Sequence, residues 1–308
     1  MHLDKVTLCL LVVALPGLAQ AQEAGSPAPA ATATSRKDAG PAEILTNDQI
    51  RELIRQAAEK DIENDKKQRD YTYIEHEEEH KLDGKGQVKS TETRTYEIMV
   101  LYEEPVRKLT ARDDKPLSDK DSRKEDEKIQ KVIEKRKSES EEDRNKRLQK
   151  QEKDREEDRA FVKEIADAYN FRLAGVEEWE GRSTYVIDAD PRPGYEPHMK
   201  NAKFLPKFRF RTWVDKAEMQ WVKLDIQCID TVSVGLFLVR LHKGSNIQIE
   251  QTRINDEVWL PKHVALKLDA RVALLKGLNV SEDVTYRDYK KFRAETKIVP
   301  MGEVQESH

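Results

Sequence analysis

Between residues 171 and 295 apolar and polar side chains alternate with a period of two in one short segment after another. Segments 207–215, 221–228 and 247–254 show it most plainly, with Phe208, Phe210, Val222, Leu224, Ile226, Ile247 and Ile249 set between charged or amide residues. A half-buried β-strand requires that spacing. Strands at 171–178 and 183–189 precede a Pro-rich loop at 190–197, and about seven more follow before Ala294, separated by turns such as 215–218, Lys243-Gly244-Ser245 and 254–256. Short links predict an up-and-down antiparallel meander, which twist curls into a barrel or leaves as an open half-barrel. One face of such a sheet has to be covered by the chain's own helices, by another protein or by an apolar ligand.

Upstream the period changes twice. Thr46 or Asn47 is placed to cap a helix whose apolar residues, Ile50, Leu53, Ile54, Ala57, Ala58 and Ile62, share one face. From Asp70 the pattern turns to strand, with Tyr71 and Tyr73, then Asp83-Gly84 as a hairpin cue, then a run rich in Thr, Tyr, Ile and Val over 88–102. A third strand is expected through 106–111, ending near Pro116.

Residues 118–159 are almost wholly Lys, Arg, Glu and Asp, interrupted by Ile129, Val132, Ile133 and Leu148. Opposite charges four residues apart, as in Glu127 with Lys131 and Glu142 with Lys146, support one long solvated helix that frays in the middle. The apolar spacing sustains no heptad, and a disordered charged linker is the other reading of the same composition. An apolar face returns at Phe161, Val162, Ile165, Ala166 and Tyr169.

The first residues add a destination. A polar start, an apolar run over 6–15 and Ala19-Gln20-Ala21 fit an export signal cleaved before Gln22. The run is too short to span a bilayer, and Val6-Thr7-Leu8 ahead of Cys9 lacks the small residue that lipoprotein processing prefers. The expected organisation is a signal peptide at 1–21, a disordered Ala/Pro-rich leader at 22–44 and the N-terminal helix with the first strands at 45–117. A charged helical insertion follows at 118–169, then the main strand array at 170–296 and a flexible tail at 297–308. Only Cys228 remains after cleavage, so no internal disulfide is expected, and strand register buries that thiol beside Val222, Leu224 and Ile226. Charged residues make up 37% of the chain, yet the net charge is only −4, a balance without the basic footprint of a nucleic-acid binder.

One motif bears on chemistry. His76-Glu77-Glu78-Glu79-His80 matches the H-E-x-x-H pattern of zinc peptidases, in which two His one helical turn apart share the metal. Tyr71-Thr72-Tyr73-Ile74 before it and Asp83-Gly84 after it favour a strand, where residues four apart stand about 13 Å from one another and cannot share an ion. No G-x-S-x-G elbow, phosphate-binding glycine loop or cysteine-rich cluster is present. His198, His242 and His263 are scattered, and Asn279-Val280-Ser281 reads as turn chemistry rather than as a glycan acceptor. No catalytic residue, metal site or cofactor is therefore expected.

The residues Trp179-Glu180-Gly181-Arg182-Ser183-Thr184-Tyr185, Trp213-Val214-Asp215, 251–261 and 286–292 resemble the outer membrane lipoprotein-sorting family of periplasmic proteins. The resemblance runs best over 165–295 and implies an incomplete antiparallel β-barrel of α+β class, with helices on its open side and an apolar groove for acyl chains. On that template Phe208, Phe210, Val222, Leu224, Ile226, Phe237, Val239, Leu241, Ile247 and Ile249 would line the groove, with Ile50, Leu53, Ile54 and Ala57 on a lid helix; the same rows would serve equally as an ordinary core. The expectation is a non-enzymatic protein of the periplasm that binds lipid or acylated protein. The alternative is an envelope sensor whose charged helix contacts a protein partner.

Overall fold

A capping box starts the first helix: the Thr46 side chain accepts from the Gln49 N–H, and the Thr46 N–H donates to the Gln49 side chain. The computed structural model describes residues 45–102, 104–199, 202–234, 239–272 and 276–292; the expected signal peptide, leader and tail lie outside them. Helix α1 (Asn47–Gln68) buries Ile50, Leu53, Ile54, Ala57 and Ala58 along one stripe, each Ile or Leu contributing about 1.5–3 kcal/mol.

The chain then builds one antiparallel sheet. Its strands are β1 (Tyr71–Leu82), β2 (Val88–Leu101), β3 (Glu104–Arg112), β4 (Lys115–Pro116), β5 (Tyr169–Trp179), β6 (Arg182–Pro191), β7 (Phe208–Asp215), β8 (Trp221–Cys228), β9 (Val232–Val234), β10 (Val239–Leu241), β11 (Asn246–Ile254), β12 (Val258–Val272) and β13 (Lys276–Lys291). Along the sheet they run β4-β3-β2-β1-β13-β12-β11-β8-β7-β6-β5. The first hairpin thus joins the C-terminal strand, and the path ends at β4 and β5 without closing. The result is an incomplete barrel of α+β class.

Three expectations need correction. The meander is interrupted, because β9 and β10 leave the main path and pair beside the far half of β12, so that β8 neighbours β11. Asn279-Val280-Ser281 is no turn but the interior of β13, with Val280 buried. The charged segment is not one helix but two, α2 (Asp119–Lys137) and α3 (Glu141–Ala168), because Ser138 ends the first and Ser140 caps the second by accepting from the Asp143 N–H.

Helix α3 connects the two rims of the open sheet. Near its start Arg147 and Gln151 donate to Glu104 of β3, and at its end Phe161, Ala166 and Ala168 enter the core before the chain continues as β5. Its 28 residues extend about 42 Å at 1.5 Å per residue, long enough to bridge the gap that a closed barrel would fill with strands.

Candidate functional site

The face of the sheet under α1 is the inner face, and register carries it from strand to strand. Phe171, Ala189, Phe210 and Ile226 share one row, and Leu173, Ile187, Thr212, Leu224 and Ile249 the next. On β5 to β7 the apolar stripe of α1 packs on this face. Ile50, Leu53, Ile54 and Ala57 pack with Phe161, Tyr169, Phe171, Tyr185, Ile187, Ala189, Leu205 and Val214, and Tyr169 also stands edge-on to Phe210 with centroids 4.8 Å apart. This half is a packed core.

Farther along, the cover changes. Ile247, Ile249, Val264, Leu266, Leu268 and Val284 form a second buried cluster on β11, β12 and β13, flanked by Leu224, Ile226, Leu241, Trp221 and Tyr286. No residue of α1 belongs to it among those described. The helix is instead fastened at the near end of β12, where the Asn64 side chain both donates to and accepts from the Trp259 backbone.

Beyond β13 the same face turns acidic. Leu266 pairs with Glu282, Glu282 with Glu79 and Glu79 with Glu92, while Val284 pairs with Glu77 and Tyr286 with Glu75. Arg107 donates to both Glu75 and Glu77 and lies 3.9 Å from the Tyr96 ring centre; Arg94 donates to Glu92 at 2.9 Å. Burial pushes the Glu75 carboxyl up to about 7 despite Arg107, with Glu77 adding to the rise. Burial and the neighbouring Glu77 and Glu79 do the same for Glu282, also to about 7. Glu75, just before the His-Glu-Glu-Glu-His run, alternates with Glu77 and Glu79 inside it, a period-two signal that the zinc pattern obscures.

Where the apolar cluster meets α1, β11 carries Gln251 on the same face as Ile247 and Ile249, following the alternating burial of that strand. Gln251 is 0% exposed, and neither its Nε2 nor its Oε1 has a hydrogen-bond partner among the described residues. An unsatisfied buried amide costs about 1–3 kcal/mol. Polar backbone groups on the paired stretch of β12 are committed elsewhere: the Trp259 N–H and carbonyl to Asn64, and the Pro261 carbonyl to the Tyr289 hydroxyl. Pro261, directly across β12, has no N–H to offer.

The expected groove residues divide among three environments. Leu224, Ile226, Leu241, Ile247 and Ile249 meet in the second cluster. Phe208 packs with Cys228 and Val232, and Phe210 sits against the core under α1. The lid residues Ile50, Leu53, Ile54 and Ala57 are all in that core. Val222 departs from the expected row: register shifts between Trp213 and Val214, so Val214 pairs with Trp221, Trp213 with Lys223, and Val222 is passed over. Trp221 joins Leu224 and Ile226 in its place. Val239 lies in β10, and Phe237 lies outside the described residues. Cys228 is buried as expected, and burial raises its thiol above the ordinary value.

The His-Glu-Glu-Glu-His run lies within β1, as the flanking residues predict. His76 and His80 face away from the acidic side, and each bonds a threonine of β2, Thr95 at 3.0 Å and Thr91 at 2.9 Å. Among the described residues no three His, Cys, Asp or Glu side chains are grouped to hold a metal. His242 and His263 pair with Asp269 and Asp283, and His198 lies near Glu164. On the outer face a trough of about 430 Å³ runs among Arg172, Asp188, Asp190, Arg209, Arg211 and Asp225; Arg172 and Arg211 both neutralise Asp188.

An incomplete antiparallel barrel with a helix over part of its inner face is the class this geometry defines. No family model matches the chain, and no curated protein matches it in sequence. Among solved structures it is similar to a domain from Vibrio parahaemolyticus named for outer membrane lipoprotein sorting, with 13% identity over 78% of this chain and 95% of the other, and a TM-score of 0.32. A LolA superfamily protein from Nitrosomonas europaea shares 10% identity over 81% of this chain and 94% of its own, with a TM-score of 0.28. A DUF1329 family protein from Desulfovibrio piger shares 11% over 80% and 95%, with a TM-score of 0.30. Superpositions this loose leave the weight on the chain's own residues.

Proposed function

We propose that the protein is a non-enzymatic, exported periplasmic binder of lipid or of a lipidated protein, with the acyl chain laid along the inner face of the half-barrel. The second cluster carries this reading: six buried aliphatic residues on three adjacent strands, with no α1 residue among them. Burial there is worth about 0.8 kcal/mol per methylene, so a chain of a dozen carbons supplies ample driving force without a charged contact. No described helix is long and apolar enough to cross a membrane. Native mass spectrometry of the gently purified protein is the test. Bound lipid, released by organic extraction, is the expected result, and a ligand-free protein with no affinity for added lipid would end the proposal.

A second reading has its own observation. Helix α2 buries no residue, so its charged surface is available to a protein partner, and the two charged helices would make the molecule an envelope sensor or interaction protein. Replacing residues 118–159 by a flexible linker separates the two. Loss of partner capture with lipid binding intact favours the sensor, whereas loss of lipid binding alone favours the carrier.

A further inference from the structure

We infer that Gln251 is the polar anchor of the groove, and that the ligand it selects is an uncharged single-chain acyl ester with a hydroxyl beside the carbonyl. The inference rests on the acyl-binding reading and adds the position and chemistry of the head group. Gln251 stands at one end of the apolar cluster, with Ile249 and Ile247 following on its own strand and Val264, Leu266 and Leu268 on β12. From Pro261, across from Gln251, to Leu268 is seven residues along β12, about 24 Å of extended strand, a length on the order of an extended acyl chain.

The amide offers an idle donor and an idle acceptor, and the backbone groups of Trp259 and the Pro261 carbonyl on the paired stretch of β12 already have partners. A ligand carbonyl accepting from Nε2 and a ligand hydroxyl donating to Oε1 would satisfy both atoms. A charged head is disfavoured there, because the nearby ionic groups are already paired: Arg182 with Asp215 and Glu218, and Arg253 with Glu218. An isolated charge would enter a dry site uncompensated. An unsatisfied buried amide is a cost to the fold that a bound partner for both atoms would remove.

The test is Gln251→Met in the full chain, a change that keeps the side-chain length and removes both polar atoms. Titration with monolauroylglycerol and with dodecane is followed by tryptophan fluorescence, since Trp221 packs against the cluster, and thermal unfolding is recorded in parallel. The variant should bind monolauroylglycerol about tenfold more weakly than wild type, a change that corresponds to about 1.4 kcal/mol, bind dodecane equally well, and melt a few degrees higher without ligand. Equal affinity of both proteins for monolauroylglycerol would overturn the anchor while leaving the groove reading intact. A lower melting temperature would overturn it as well, by showing that Gln251 serves a structural bond. Failure of wild type to bind either probe would end the groove reading and this inference with it.

Discussion

Asn64 and Trp259, 195 residues apart in the chain, are joined by two hydrogen bonds: the Asn64 Nδ2 donates to the Trp259 carbonyl and the Trp259 N–H donates to Asn64 Oδ1, both at 2.8 Å. One side chain thereby completes the backbone bonding of β12 at the point where α1 crosses it, and Gln68 adds a bond to the same carbonyl at 2.9 Å. Asn64→Ala leaves a buried N–H without its partner, at a cost of about 1–3 kcal/mol. Amide hydrogen exchange should show α1 opening ahead of the sheet. Uniform acceleration over the whole molecule, or none, would show that the apolar stripe alone seats the helix.

Glu104 plays the corresponding part at the opposite rim. It accepts from Arg136 at 2.7 Å and Arg147 at 3.2 Å, and also from Gln151, tying both charged helices to β3; Arg147 and Arg136 reach Glu139 as well. Glu104→Ala removes the carboxylate that links both helices to β3 while leaving Arg136 and Arg147 their second partner, Glu139, so the effect should be local. Because α2 has no buried residue to hold it, the charged helices should undock locally. Limited proteolysis should cut within 119–151 in the variant well below the temperature at which the sheet melts. Protection equal to wild type would refute the anchoring role.

The buried thiol of Cys228 gives a third check. Cys228 packs with Phe208 and Val232, and its Sγ donates to the Asp230 carbonyl at 3.0 Å. Burial raises its pKa, which lowers the thiolate fraction. In a Cys9→Ser background, a thiol reagent at neutral pH should label the folded protein only at its rate of opening and the denatured protein at once. Prompt labelling of the folded protein would mean that the β8 end of the sheet is loose.

The strands were legible because burial follows a period of two: Ile247, Ile249 and Gln251 are buried and Gln248 and Glu250 are less so, as the alternation predicts. The cap at Thr46 and the hairpin at Asp83-Gly84 were legible for local reasons, since both depend on residues within a few positions. What depended on pairing was not. The register shift opposite Val222 is a one-residue offset between β7 and β8 and leaves no mark on composition. The acidic wall needed β13 beside β1, which sets Glu282 against Glu79 across two hundred residues. Gln251 has the look of any strand amide until the groups on the paired stretch of β12 prove to be bonded elsewhere.

The acidic wall gives the protein an unusual dependence on pH. Glu75 and Glu282 hold their protons to about 7 in the folded state, against about 4.3 in an unfolded chain. Between these values the folded state binds more protons than the unfolded one, so stability falls as pH rises through that window and is fully present only below it. Facing these carboxyls are Glu77, Glu79 and Lys81 on β1, Glu92, Arg94 and Tyr96 on β2, Arg107 on β3 and Tyr286 on β13. Other carboxylates act in the opposite sense, Asp188 and Asp215 among them. Hydrogen bonds from Arg211 hold Asp188 low, and Asp215 is held low against its burial by Arg182 and the turn amides of Glu218 and Ala217; both lose stabilisation in stronger acid. The contribution of Glu75 and Glu282 to stability is therefore larger at pH 5 than at neutrality. Glu282→Gln, which keeps shape and removes the charge, should raise stability more at pH 8 than at pH 5, the difference being on the order of 1–3 kcal/mol. Urea unfolding at the two pH values decides it. An equal gain at both, or a loss at pH 8, would mean that Glu282 is ionised without penalty and that the wall is better solvated than its packing implies.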